Sequence, residues 1–491
     1  MKRRLDALLV AAVALAVHAR TVAFGFTGLD DRDLVVGDRA FLADPASLLH
    51  VFGRAYLHVV DATHAYWRPM VTASYVLDAQ WSGVHPWGFH ATNVLLHATA
   101  SVLVLALLRR FRVGRVPAVL AALVFAVHPA LAAAVAWIPG RNDELVAALG
   151  LASWIALRRR RTVLHLALFA LALMAKETAV ALPLVWLVER AGGWRAWRAP
   201  GWRVGAWTVL VALRVAVHPS VPHATLRDVA SNVPLFAASL GQLVFPVRPS
   251  ALAVIEDLPL WPGLVVAAGV ALVTWRSSRV RRRVVVFGAL VFAATFAPAL
   301  LVPGTLVLGS RLYLPMVGVL LVATELARAL APERKTLLAF GGVGLLALGA
   351  LTAAFEGSFH DEGAFAREAV GGSPRSPLAH VCLGQARQRA RDDDGALAEY
   401  RAALALGPAE VAHNDIAVIL MRRAEWPEAE RELRAELALN PSFAAAYHNL
   451  SVVLRREGRP RESCEAAREA VGRAPAEDLA WIAELRRDCD E

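Results

Sequence analysis

The chain has 491 residues, 57% hydrophobic and only 19% charged, against about 25% charged and 45–50% apolar in ordinary soluble domains. Its formal charge is +10. The arginine clusters nevertheless sit between apolar runs and build no basic stripe with interleaved aromatics, which argues against a nucleic-acid partner. Long apolar runs fill the chain from Leu5 to about Phe355, whereas Phe359 to Glu491 is rich in Arg, Glu and Ala. Crossing a hydrocarbon core of about 30 Å takes roughly 20 apolar residues. The pattern therefore predicts an all-α polytopic membrane bundle followed by a soluble domain.

In chain order, the first predicted span is 5–26, with Lys2-Arg3-Arg4 before it and acidic residues after it. Basic residues favour the cytoplasmic side, so this asymmetry predicts an uncleaved first helix with a cytoplasmic N-terminus. Segment 27–86 is then the first outer loop, and it is the one long polar stretch within the apolar region. It opens with Gly28-Leu29-Asp30-Asp31-Arg32-Asp33 and closes with Tyr66-Trp67-Arg68-Pro69 and two amphipathic segments at the membrane surface.

Further spans are predicted at 89–108, at 116–138, in a segment ending at Arg158, and at 163–175, 178–188 and 204–217. Four more follow at 260–275, 284–302, 312–330 and 337–355. Segment 190–203, with Trp194, Trp197 and Trp202, reads as interfacial. Segment 229–244 carries Ser231, Asn232, Pro234, Ser239 and Gln242. It reads as re-entrant or interfacial, since a full crossing would put Arg276 to Arg283 outside. The expectation is about eleven crossings within 1–358, a linker at 359–375, and a C-terminal domain on the outer side.

Segment 376–491 repeats at a period near 34: Pro408, Pro441 and Pro475 lie 33 and 34 residues apart. Small and large positions recur before each proline, as in Gly384, Ala396 and Tyr400, then Ala417, Ala429 and Leu433, then Leu450, Ala467 and Ala470. This resembles the tetratricopeptide repeat, an α-solenoid of helix pairs. About three repeats and a capping helix at 476–487 are predicted. Such arrays offer a concave groove suited to an extended peptide or partner protein.

Asp30, Asp31 and Asp33 place three carboxylates within four residues just past a membrane span. A carboxylate there suits general-base work on an acceptor hydroxyl. An anionic phosphate leaving group would need cations, and the predicted outer loops supply Arg68, Arg141, Lys176 and Arg311. His90 and His128 lie near or inside spans, where a buried neutral imidazole is the expected state. No zinc spacing, phosphate-binding glycine loop or serine-nucleophile motif is present. No cofactor or metal is demanded, because side chains can handle both charges of such a site.

After Asp30-Asp31 the chain carries Trp67-Arg68-Pro69-Met70, Ser74-Tyr75-Val76-Leu77-Asp78 and Phe89-His90-Ala91-Thr92-Asn93. Val127-His128-Pro129, Gly140-Arg141-Asn142-Asp143, Ala175-Lys176-Glu177-Thr178 and Arg311-Leu312-Tyr313-Leu314-Pro315 follow in order. Taken together these fragments resemble the transmembrane-and-TPR O-mannosyltransferases. The resemblance implies a GT-C fold and transfer of a hexose, often mannose, from a polyprenyl phosphate to a protein Ser/Thr hydroxyl. It implies action on the periplasmic side of a bacterial inner membrane, with the lipid bilayer, the lipid-linked sugar and a protein acceptor as partners. It also implies Asp30 or Asp31 as base, the four cations as phosphate ligands, and Asp33, His90, His128, Asp143, Glu177 and Tyr313 as further site candidates. Where many relatives carry His and Glu after His-Pro, this chain has Leu131 and Ala133, and Gly309-Ser310 stands where an acidic residue is common. A non-catalytic membrane-anchored repeat scaffold and a glycolipid- or polysaccharide-modifying enzyme are the alternative readings.

Overall fold

A computed structural model describes residues 2–56, 66–191, 201–217, 225–246, 250–302, 306–330 and 333–473. These divide into two compact units, one running to Phe365 and the other beginning at Ala366. The first is almost wholly helical. Its longer helices are α1 (Lys2–His18), α2 (Pro69–Ser82), α3 (Pro86–Arg110), α4 (Arg115–Ala126), α5 (Pro129–Ala136), α6 (Arg141–Arg158) and α7 (Thr162–Ala175). They continue as α8 (Leu182–Ala191), α9 (Gly201–Val217), α10 (Leu235–Val244), α11 (Trp261–Arg276), α12 (Arg282–Phe296), α13 (Met316–Leu330) and α14 (Arg334–Glu356).

Proline sets several of these boundaries. Pro69, Pro86, Pro129 and Pro262 each occupy a first-turn position, where the missing N–H has no intrahelical partner to lose. α3 is the central post, packing against α1, α4 and α6, while α6 packs on α7 and α12 on α13. The α12–α13 crossing is close because glycines face each other: a Cβ on Gly288 would lie 2.8 Å from the Gly318 carbonyl oxygen. Small residues at such crossings are how apolar helices gain van der Waals contact without a hydrophobic driving force between them. Two short antiparallel strands, β1 (Ala253–Val254) and β2 (Leu306–Val307), pair Ala253 with Val307 and tie two loops together.

The crossing count requires a correction. Among the described residues, four helices are long and apolar enough to span a membrane: Lys2–Ala23, Pro86–Arg110, Arg282–Leu301 and Arg334–Phe359. The predicted span 116–138 is a broken pair, α4 and α5, bent by 53° at His128-Pro129. The proline ring and missing N–H break the helix there. α7 and α11 are apolar but only 14 and 16 residues long. Segment 229–244 is likewise split, with Leu226–Asn232 ending before Pro234 and α10 starting after it. Much of the predicted interfacial segment 190–203 lies outside the described residues.

The second unit contains three successive helix hairpins. They are α15 (Pro377–Arg389) with α16 (Asp393–Leu406), α17 (Ala412–Arg422) with α18 (Trp426–Leu439), and α19 (Ala444–Arg456) with α20 (Pro460–Arg473). The small positions act as the repeat pattern predicts: Gly384 lies under the Tyr400 ring, whose edge would sit 2.5 Å from an added Cβ. Ala396, Ala417 and Ala429 are fully buried. A hydrogen-bonded link recurs as well, His380 Nδ1 to Glu399 at 2.8 Å and His413 Nδ1 to Glu432 at 2.6 Å, each joining the two helices of one hairpin. The predicted linker 359–375 is largely the helix Glu362–Gly372. The predicted cap 476–487 lies outside the described residues.

Candidate active site

The acidic loop is built by its own short contacts. The first helix ends where Phe24 turns extended, and Gly25 N–H then donates to the His360 carbonyl at 2.9 Å. Thr27 donates through its N–H (2.8 Å) and Oγ1 (2.9 Å) to Asp31 Oδ2, closing a small ring. Gly28 has φ +94°, in the region that disfavours a side chain, and the Glu362 carboxylate fills the space where a Cβ would be, 2.5 Å away. Asp31 is fully buried and its Oδ1 takes no hydrogen bond.

Asp30, next to it, is half-buried, and no hydrogen bond or ion pair reaches it among the described residues. Desolvation, with Asp33 adding repulsion, pushes Asp30 up to about 6 against the pull of Arg68. Burial pushes Asp31 up to about 7, against its two bonds from Thr27. The two neighbouring carboxylates thus play different parts, one tied into the loop and the other open.

Cations gather around this loop, each held differently. Arg68 makes a forked pair with Glu177, Nη2 to Oε2 at 2.9 Å and Nε to Oε2 at 3.2 Å, and lies over the Tyr66 ring at 4.5 Å. Arg214 reaches Glu177 Oε1 at 3.1 Å from the other side and stacks over Trp67. Burial opposes ionisation of Glu177, but Arg68 and Arg214 outweigh it and hold the carboxyl below its usual range. Lys176 Nζ bonds Asp143 Oδ1 at 2.6 Å and Asn142 Oδ1 at 2.8 Å. Desolvation, with help from Arg68 and Arg311, pulls it down to about 8 against the attraction of Asp143.

Arg311 sits on the 3₁₀ turn Gly309–Leu312 directly after β2. Its Nη1 donates to the Leu306 carbonyl at 3.2 Å, and among the described residues no carboxylate pairs with it. It lies within electrostatic reach of Asp143, Tyr66, Arg68 and Lys176. Asp30, Arg68, Lys176, Glu177, Asp143 and Arg311 therefore form one neighbourhood, and Arg311 is the cation in it whose charge is uncommitted.

Arg141 is placed otherwise. It is fully buried, with Nη1 on Asp78 Oδ2 (2.6 Å) and Ser74 Oγ (3.0 Å), Nε on Asn93 Oδ1 (2.8 Å) and Nη2 on the Phe89 carbonyl (2.7 Å). The Tyr75 ring covers it at 4.6 Å. These contacts cross-link α2, α3 and α6, and leave the guanidinium committed to the protein.

His128 caps α5, its Nδ1 accepting from Ala130 N–H at 3.2 Å while Nε2 meets the Leu243 carbonyl at 3.0 Å. His90 Nε2 donates to the Gly25 carbonyl at 3.3 Å, so it braces the acidic loop. Tyr313 is buried in a chain that no local pattern marks. His97 Nε2 donates to the Ala126 carbonyl (3.1 Å), which leaves Nδ1 to accept from Tyr313 Oη at 2.7 Å. His18 shares the same Ala126 carbonyl and pairs with Glu356. Asp33 is half-buried in the loop. Sequence reasoning also missed Glu144, fully buried with neither oxygen hydrogen-bonded. The signal available for it was a carboxylate in the first turn of an apolar helix. Among the described residues no group of three or more His, Cys, Asp or Glu is arranged to hold a metal ion.

An all-α, membrane-type bundle with a carboxylate-and-cation site, followed by helix hairpins, is the class these features define. The chain is similar to protein O-mannosyl-transferases of the TMTC group. It is 32% identical over 178 residues to Protein O-mannosyl-transferase Tmtc1 of Drosophila melanogaster, covering 34% of this chain and 21% of that protein. It is 32% identical over 165 residues to TMTC4 of Homo sapiens, covering 30% and 22%. With Tmtc2 of Drosophila melanogaster it shares 36% identity over 140 residues, 26% of this chain and 15% of that protein. The matches span about a fifth of the length of the first two relatives. No family model matches the chain. A solved chain of the APC/C hetero-tetramer Cut9-Hcn1 aligns over 86% of this chain with a TM-score of 0.26 and 10% identity, too low to carry a fold argument.

Proposed function

We propose that the chain is a multi-pass GT-C glycosyltransferase of the bacterial inner membrane. It transfers a hexose, with mannose the first to test, from a polyprenyl phosphate to a protein Ser/Thr hydroxyl on the periplasmic side. The observation that carries this reading is a half-buried Asp30 carboxylate with no hydrogen-bond or ion-pair partner among the described residues, linked through the field of Arg68 to Arg311, a cation that no described carboxylate pairs. In the proposed step the acceptor oxygen attacks the anomeric carbon as its proton passes to Asp30. The bond from that carbon to the phosphate oxygen breaks, and its electron pair leaves with the phosphate. Arg311 and Lys176 hold the developing phosphate charge, an arrangement that favours the transition state because the cations are already in place.

Arg68 is fixed by Glu177 and sets the field at Asp30. Asp31 positions the loop through Thr27. Arg141, earlier counted among the phosphate ligands, acts in this reading as a cross-link of the bundle. The helix hairpins would recruit the protein acceptor. No cofactor is invoked.

The test is purified full chain in liposomes supplied with labelled polyprenyl-phosphate hexoses and a Ser/Thr peptide, scored for donor cleavage and label on the peptide. Absence of turnover with every donor would sink the enzyme reading. A specific observation favours the scaffold alternative in that case: Leu131 and Ala133 are 0% and 5% exposed in apolar packing, so no side chain there supplies a second acid. Donor cleavage with label on lipid or polysaccharide instead of peptide would move the acceptor class and keep the site.

A further inference from the structure

The far end of the bundle holds a second, opposite electrostatic feature. α1 begins there, α3 ends there, α4 begins there and α6 ends there. With α3 25 residues long, this end lies roughly 37 Å from the acidic loop. A cavity of about 610 Å³ opens among these four helix ends, lined by seven cations and a single carboxylate, Asp6.

Asp6 is already spent. Arg115 Nη2 holds its Oδ1 at 2.7 Å, and Arg109 also pairs with it. Among the described residues, Lys2, Arg3, Arg110, Arg112 and Arg159 have no ion-pair partner, and the Arg110 and Arg159 charges act on each other unfavourably. Arg112 is further held at φ 59°, a left-handed position where glycine or asparagine is the usual occupant. Ala106 and Val113 give the cavity an apolar wall on the side of the spanning helices.

We propose that this bowl is a binding site for the phosphate headgroup of an anionic membrane lipid. Five uncommitted cations at the end of spanning helices lie at headgroup depth. Basic pockets between membrane helices take anionic headgroups in this way. The apolar wall suits the glycerol and first methylenes of a lipid better than a free, fully hydrated anion. The proposal concerns the end of the bundle away from the acidic loop and does not depend on the transferase reading.

The test is native mass spectrometry of the full chain released from nanodiscs containing equal phosphatidylglycerol and phosphatidylcholine. Wild type should retain phosphatidylglycerol selectively. The double variant Arg112→Glu/Arg159→Glu should lose about tenfold of that retention, the scale of a single lost ionic contact worth 1.4 kcal/mol. An equal charge reversal outside the bowl, Arg334→Glu/Lys335→Glu, should leave it unchanged. Equal retention of both lipids, or equal loss in the two double variants, would overturn the site, the latter because it would mean a diffuse surface field. Displacement of phosphatidylglycerol by inorganic phosphate would also overturn it, by showing a site for a soluble anion. Unfolding temperatures measured in phosphatidylcholine nanodiscs separate loss of binding from loss of fold. If the first variant does not fold, Arg159→Gln alone should still lower retention.

Discussion

Arg141 and Arg311 look alike in the sequence: each follows glycine or serine in a short polar break between apolar runs. The fold treats them in opposite ways. Arg141 is sealed among Asp78, Ser74, Asn93 and the Phe89 carbonyl, whereas Arg311 has, among the described residues, one backbone bond and no carboxylate partner. A guanidinium whose donors are all engaged can hold helices together but has little to offer a ligand. One left uncommitted in a neighbourhood that also holds an open carboxylate has charge to give. Partner count, and not position in a polar break, separates the cross-linking cation from the candidate ligand-binding one.

Substitutions can break or sharpen that contrast. Asp30→Asn should lower the transfer rate by about 10²–10⁴-fold, the range for loss of a general base, with the fold intact by circular dichroism. Transfer at the wild-type rate would reassign the base. Arg141→Met should act on stability, because Asp78 is left buried without its counter-charge, a loss of about 3–5 kcal/mol. A denaturation midpoint equal to wild type would show that Arg141 is not the cross-link described. Arg311→Ala should leave that midpoint in place and lower kcat/KM by about 10²-fold, as for removal of one transition-state donor. A large stability loss with intact turnover would invert the comparison.

The pH dependence is a smaller and more diagnostic effect. Asp30 must be ionised to accept a proton, so the rate should climb as pH rises through about 6. Lys176 must be protonated to hold phosphate, so it should fall as pH rises through about 8. The stability sign is opposite on the acid limb. The carboxyl titrates above its unfolded value of about 3.9, so its stabilising contribution is present below that value and lost as pH rises through 6. Asp30→Asn should therefore flatten the fall in unfolding temperature between these two pH values, and an unchanged slope would contradict the burial argument. The smallest effect is expected for Gly28→Ala, about 1–3 kcal/mol of backbone strain at φ +94°. It should loosen the acidic loop without unfolding the bundle.

Helix identity and the hairpin period were legible because both are local periodicities. Pro408, Pro441 and Pro475 mark the repeats, and Tyr400 on Gly384 is the packing that the small positions predicted. The crossing count was not legible. An apolar run records composition, whereas the bend at His128-Pro129 and the shortness of α7 and α11 depend on where backbone bonds break. The candidate site was half legible. Asp30, Lys176 and Arg311 could be picked out as short polar breaks, but their different commitments arise from partners far along the chain. Arg141 meets Asn93 and Asp78, and Glu177 meets Arg68 across 109 residues. No window of local sequence contains those distances.

The bend between α4 and α5 frees carbonyls that must be answered from elsewhere. The Ala126 carbonyl takes His18 and His97, and the Val127 carbonyl takes Thr352 Oγ1 at 2.7 Å, 225 residues downstream. During synthesis Thr352 emerges from the ribosome roughly 10–50 s after Val127, at about 5–20 residues per second. Over that interval the break is fastened on one side only. Early spans thus wait, incomplete, for the last one, and a nascent chain stalled before α14 should present a bend that quality-control proteases can reach.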